Sequence, residues 1–215
     1  MKSNAHFYRS ALLTLSLLTL QAHAADATFG GGLSIPSKTF ASTGSDDAGY
    51  AELGLHLSGA FITPLHPYLD WATSLTYHRN QTNASIESVE VGTWQNFTLL
   101  TGLRRKFNLN AKLQPFIAAH VGGNMAIFPS RSNSKISGGA VADADPATAI
   151  AFGFSGGVTY DKKYEFEVSY LDLGTPQASY LISTNRGDTG AYELGTPINM
   201  IQATFAMRFS LDSML

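Results

Sequence analysis

The stretch Tyr50-Ala51-Glu52-Leu53-Gly54-Leu55-His56-Leu57-Ser58-Gly59-Ala60-Phe61 decides how the chain folds. Leu53, Leu55, Leu57 and Phe61 fall on one side of an extended backbone, and Glu52, Gly54, His56 and Ser58 on the other. Successive side chains of a strand point to opposite faces, so a period of two marks a strand with one apolar and one polar face.

Seven more segments read the same way. Ala27 to Ile35 sets Phe29, Gly31, Leu33 and Ile35 on one face. Tyr68 to Arg79 opposes Leu69, Trp71, Leu75 and Tyr77 to Asp70, Ala72, Ser74, Thr76 and His78. Thr93 to Phe107 opposes Phe97, Leu99, Leu103 and Phe107 to Asn96, Thr98, Arg104 and Lys106. Here Leu100 lands on the polar side, while Thr73, Thr101 and Arg105 land on apolar sides. Phe116 to Ile127 and Ile150 to Tyr160 alternate too, the first with His120, Gly122 and Asn124 on its polar face. Tyr164 to Leu173 opposes Tyr164, Phe166, Val168 and Tyr170 to Glu165, Glu167 and Ser169. Ile198 to Phe209 opposes Ile201, Ala203, Phe205, Met207 and Phe209 to Gln202, Thr204 and Arg208.

The connections alternate in length. Residues 36–49, 80–92, 128–149 and 174–197 are long and rich in Ser, Gly, Asn, Asp and Thr, whereas 62–67, 108–115 and 161–163 are short. Transmembrane barrels combine tight turns at one end with long loops at the other. Charged residues are 14% of the chain, against about 25% in ordinary soluble domains. Outside the N-terminal segment there is no long apolar run, so the apolar residues are spread at alternate positions. The pattern predicts an all-β fold: a monomeric, eight-stranded antiparallel transmembrane β-barrel of the outer-membrane type. A soluble barrel would turn its apolar face inward around a ligand. Against it stand the aromatics near strand ends (Trp71, Tyr77, Phe107, Tyr160, Tyr164 and Phe209), which suit interfacial girdles.

Residues 1–24 read as a cleaved signal peptide. Lys2 and Arg9 precede the apolar run Ala11–Leu20, and Ala22-His23-Ala24 offers small residues to a signal peptidase. The run is about half the ~20 residues of a spanning helix. Residues 25–215 then form the barrel, and the formal charge of -2 becomes -4 once Lys2 and Arg9 are removed. No basic stripe points to nucleic acid. With no cysteine, the exported chain relies on its core or on the bilayer rather than on disulfides.

With these segments placed, the chain resembles the outer-membrane β-barrel domain family, the group that includes the OmpA transmembrane domain, OmpX and the opacity proteins. Tyr170-Leu171-Asp172-Leu173-Gly174 is similar to the element that often ends the seventh strand in that group. Ile201 to Phe209, with Phe205, Met207 and Phe209 on one face, is similar to the terminal signal read by the barrel-assembly machinery, although Ser210 to Leu215 follow it here. The resemblance implies a Gram-negative outer membrane, periplasmic termini, contact with outer-membrane lipid and lipopolysaccharide, and passage through periplasmic chaperones. It does not imply one activity, because functions on this fold differ widely.

Three constellations carry chemistry. Glu52, His56 and Ser58 share a face, but a lipid-cleaving set should meet lipid, and alternation points these inward. They read as lumen packing. His56, His78 and His120 also point inward, but His78 is expected near the external end and the other two near mid-lumen on strands that are not neighbours, and no close-spaced ligand pair supports a metal. No cofactor is expected. Asp70, Arg104, Lys106, Glu165, Glu167 and Arg208 all face inward near the short-turn end, where charges in a narrow lumen must be paired or hydrated. They predict a lumen ion-pair network, with Asp70 beside Arg104 or Lys106 and both glutamates beside Arg208. The functional expectation is a non-enzymatic surface protein that acts through its four long loops on an external ligand. A narrow channel for small or apolar solutes is the alternative, and a lipid-modifying enzyme a weaker one.

Overall fold

The structure, a computed structural model, describes residues 26–43, 48–83, 89–133, 140–184 and 189–211. The signal-peptide reading of 1–24 lies outside these residues, as do the last four residues of the tail after Phe209. The strands in chain order are β1 (Asp26–Ser37), β2 (Ala51–His66), β3 (Leu69–Thr82), β4 (Val89–Val91), β5 (Trp94–Lys106), β6 (Leu113–Ile127), β7 (Arg131–Asn133), β8 (Ala140–Ala144), β9 (Ala147–Tyr160), β10 (Tyr164–Asp172), β11 (Gln177–Thr184), β12 (Thr189–Gly195) and β13 (Asn199–Ser210).

Eight of them close a barrel in the order β1-β13-β10-β9-β6-β5-β3-β2. All neighbours in the barrel run antiparallel. Closure leaves no sheet edge, so every strand finds partners on both sides. The face assignment follows the alternation. Leu55 is 65% exposed, Phe154 66% and Phe205 56%, whereas Thr76, His78, Gln202 and Ala206 are buried. Phe29, Leu57, Leu75, Ile150 and Phe166 extend the outer apolar band around the wall. Thr73 and Thr101, which interrupt that band, are direct cross-strand partners and share a hydroxyl–hydroxyl hydrogen bond of 2.9 Å. Each hydroxyl is thereby satisfied without water.

Two local features shape a turn and the wall. Between β9 and β10, Asp161 and Lys162 both have positive φ, and Lys163 N–H donates to Tyr160 C=O over 3.0 Å. Two left-handed central residues make the tight hairpin whose twist matches the strands it joins. In the wall, a Cβ on Gly102 would collide with the Ala119 carbonyl and one on Gly122 with that of Leu99, so the β5–β6 pair requires glycine at both places.

The structure departs from the sequence reading at β2 and in the long connections. The register shifts between Ala51 and Gly54. Glu52 and Leu53 are both exposed and Ala51 is buried, so Glu52 leaves the polar lumen face on which strict alternation put it. A bulge inserts an extra residue and breaks the period of two. The connections 80–92, 128–149 and 174–197 hold the five remaining strands, which form a second sheet in the order β12-β11-β8-β7-β4. The connection 36–49 contributes a short 3-10 turn, Lys38–Ala41, that buries Phe40.

Candidate functional site

The lumen is built in tiers between the short-turn end and the long-loop end. At the turn end, Arg104 on β5 reaches across the bore to Glu165 on β10. Its two terminal nitrogens donate to the two carboxylate oxygens over 2.8 and 2.7 Å, and one also reaches Thr159 Oγ1 at 2.8 Å. The guanidinium carbon lies 3.4 Å from the ring centroid of Phe116. A planar fork matched to both carboxylate oxygens is the strongest ion-pair geometry a side chain offers. Lys106 pairs with Asp70 at 2.7 Å. Arg208 pairs with Asp26 at 2.5 Å and approaches Glu165 at 4.0 Å.

The six inward charges read from the sequence therefore lie at one end, but their pairing differs from the expectation. Arg104 and Asp70 are backbone partners, yet the Arg104 side chain crosses the bore and leaves Asp70 to Lys106. Asp26, one residue before the expected start of β1, takes Arg208. Glu167 has no ion pair within 4.0 Å among the described residues and accepts a hydrogen bond of 2.8 Å from Ser169 Oγ. It faces a cavity of about 80 Å³ lined by Ser58, Ser74, Thr76, His120 and Thr204 among others. A polar cavity of that size has room and partners for water.

Above the cavity lies a tier of amides and imidazoles. Asn124 Nδ2 donates to Asn96 Oδ1 and Thr98 Oγ1 to Asn124 Oδ1, both over 3.1 Å. Asn80 Nδ2 donates to the backbone oxygens of Ser34 at 3.2 Å and Glu52 at 2.9 Å. His56 Nε2 lies 3.0 Å from Thr204 Oγ1, and His78 Nδ1 lies 3.3 Å from Gln202 Nε2. His56 and His78, expected at different depths, are direct partners on adjacent strands, with ring centroids 6.0 Å apart. His120 faces the cavity instead. Among the described residues no group of three or more His, Cys, Asp or Glu is placed to hold a metal ion. Glu52, His56 and Ser58 are not assembled: the Glu52 side chain is exposed, and Ser58 lines the cavity.

The long-loop end is closed by an apolar plug. Phe40, Trp94, Phe128 and Tyr180 follow one another at ring-centroid distances of 5.4, 4.7 and 6.1 Å. Leu173, Ile198 and Met200 complete the same buried cluster. Trp94 Nε1 donates to Gly49 C=O over 2.7 Å and Tyr180 Oη to Pro129 C=O over 3.2 Å, so the buried polar tips are satisfied. Burial pushes the Tyr180 phenol up to about 12, against the pull of nearby Arg131. The inner face of the second sheet (Ala178, Tyr180, Ile182, Tyr192 and Leu194) packs on this plug, while Leu181, Val141, Asp143 and Glu193 are exposed on its outer side. Alternation runs through β11 and β12, but short strands inside polar, glycine-rich connections gave too few residues to count.

These observations define the class: a small eight-stranded outer-membrane-type β-barrel with a filled lumen and a second sheet at its long-loop end. No family model and no curated protein sequence matches the chain. Solved structures do. OprG of Pseudomonas aeruginosa superposes with a TM-score of 0.56 at 11% identity, over 86% of this chain and 96% of that one. A major outer membrane protein of Thermus thermophilus gives 0.57 at 11%, over 87% and 100%. Neisserial surface protein A gives 0.52 at 12%, over 87% and 97%. At these identities the likeness establishes the fold; activity on such a scaffold belongs to the site.

Proposed function

We propose that this chain is a non-enzymatic outer-membrane surface protein whose working part is the second sheet, held outside the cell on an occluded barrel. The termini then lie on the periplasmic side and Phe205, Met207 and Phe209 serve as the assembly signal. All three are exposed on the outer face of β13. The observation that carries the reading is the fate of the long connections. Their described residues pack on the aromatic plug, with Leu181 64% exposed on the free side. A rigid sheet pre-organised outside the barrel presents a binding face without the ordering cost of a flexible loop. An external ligand at the sheet and outer-membrane lipid around the wall are the partners this reading implies.

Two barrel variants test it in cells that lack the native protein. One carries the wild-type chain, and the other replaces 177–195 by a short turn. The reading expects both to fold, to leave permeability to small dyes unchanged, and to differ in attachment of the cells to surfaces. A dye leak restored by the wild type and unaffected by the trimming would favour the channel instead.

A further inference from the structure

Two arginines point outward from the barrel wall. Arg105, near the turn end, lies over Phe107, 5.5 Å from its ring centroid. Arg79, near the loop end of β3, is exposed, and among the described residues its side chain has neither an ion pair nor a hydrogen bond. Its strand neighbours are Leu55 on one side and Gln95 on the other. The Gln95 side chain accepts a 2.9 Å hydrogen bond from Tyr77 Oη, so a small polar shelf sits beside the guanidinium. Next to Arg79 the wall is notched. Gly31 on β1 faces outward beside Leu57 of β2, and a groove of about 550 Å³ runs past it. Leu33, Leu55, Leu57, Tyr77 and Arg79 line it.

A cation without a protein partner at the rim of an apolar groove matches one kind of molecule. An alkyl chain fills the groove and removes its leucines from contact with looser lipid. An anionic head placed at the rim meets the guanidinium, and a phosphate offers several oxygens to its fork. We infer that this groove seats an acyl chain of a phosphorylated lipid of the outer leaflet, with its phosphate on Arg79. The inference rests on the proposed orientation, with the long-loop end outward.

The test is native mass spectrometry of the full refolded chain in detergent, with dimyristoyl phosphatidic acid, dimyristoyl phosphatidylcholine or inorganic phosphate added. The wild type should retain phosphatidic acid about tenfold better than phosphatidylcholine, a difference of about 1.4 kcal/mol, and should not retain inorganic phosphate. Arg79→Gln should erase the preference, Leu57→Trp should weaken both lipids by filling the groove, and Arg105→Gln should behave as wild type. A preference that survives Arg79→Gln, or falls equally in Arg105→Gln, overturns the site. Inorganic phosphate displacing the lipid would do the same for the groove. Each variant is first checked for the heat-dependent shift in SDS that a closed barrel gives. A shifted wild type without lipid preference refutes this inference alone, whereas absence of the shift refutes the barrel reading beneath it.

Discussion

The two ends of the lumen are shut by opposite chemistry. The turn end is closed by charge: Arg104–Glu165, Lys106–Asp70 and Arg208–Asp26 cross or line the bore. The loop end is closed by aromatic packing around Trp94, with the second sheet as its lid. Charged closure depends on each partner, since a buried ion left alone is costly, whereas apolar closure depends on filled volume. The same bore thus has one end that answers to single charges and another that answers to cavities.

The comparison can be broken from either side. Trp94→Ala should cost about 3–5 kcal/mol, as large-to-small changes at buried aromatics do. Because Trp94 joins Phe40 to Phe128, the loss should fall on the lid. Protease should then cut within 128–149 and 174–197, while the boiled and unboiled protein still migrate differently in SDS. Uniform loss of the barrel would mean that lid and wall are one cooperative unit.

Arg104→Ala should cost up to about 3–5 kcal/mol, the range for breaking a buried pair. The expected value lies at the lower end, because Arg208 at 4.0 Å remains near Glu165. Urea unfolding in lipid vesicles should show it, with the lid still resistant to protease. Lys106→Ala should cost a comparable amount: it removes a single contact, but it leaves the fully buried Asp70 with no other ion pair among the described residues.

The wall between the two ends separates lipid from lumen by one residue. Arg in place of Phe205 should cost about 2–4 kcal/mol near mid-bilayer, and should impair refolding into vesicles more than Thr204→Arg. Equal effects would mean the faces are exchanged.

The smallest effect concerns pH. The Tyr180 phenol has a folded value raised from 10.0 to about 12. Its contribution is therefore complete below pH 10 and is lost as pH rises towards 12, when the buried phenol must ionise. The lid should loosen over that interval, and Tyr180→Phe should flatten the response.

Much of this was legible in the residues. The period of two at Leu55, His56 and Leu57 placed the faces, and the loop lengths placed the ends. Four things were not legible. A bulge at Ala51–Gly54 resets the alternation, so Glu52 was assigned to the wrong side. A strand boundary drawn at Ala27 concealed Asp26, which shares its face with Thr28. Sequence patterns report strand neighbours, but Arg104 and Glu165 lie on β5 and β10, which only closure of the barrel brings face to face. The plug stayed hidden for another reason. Its members Phe40, Phe128 and Tyr180 are scattered singly through connections whose composition reads as loop.

The central claim is that the lumen is closed at both ends, by independent means in series. Planar-bilayer recording of the refolded wild type, Arg104→Ala and Trp94→Ala tests it most directly. Because removing one closure leaves the other, all three should be electrically silent apart from brief events. A large, steady conductance from the wild type, or from either single variant, would contradict it.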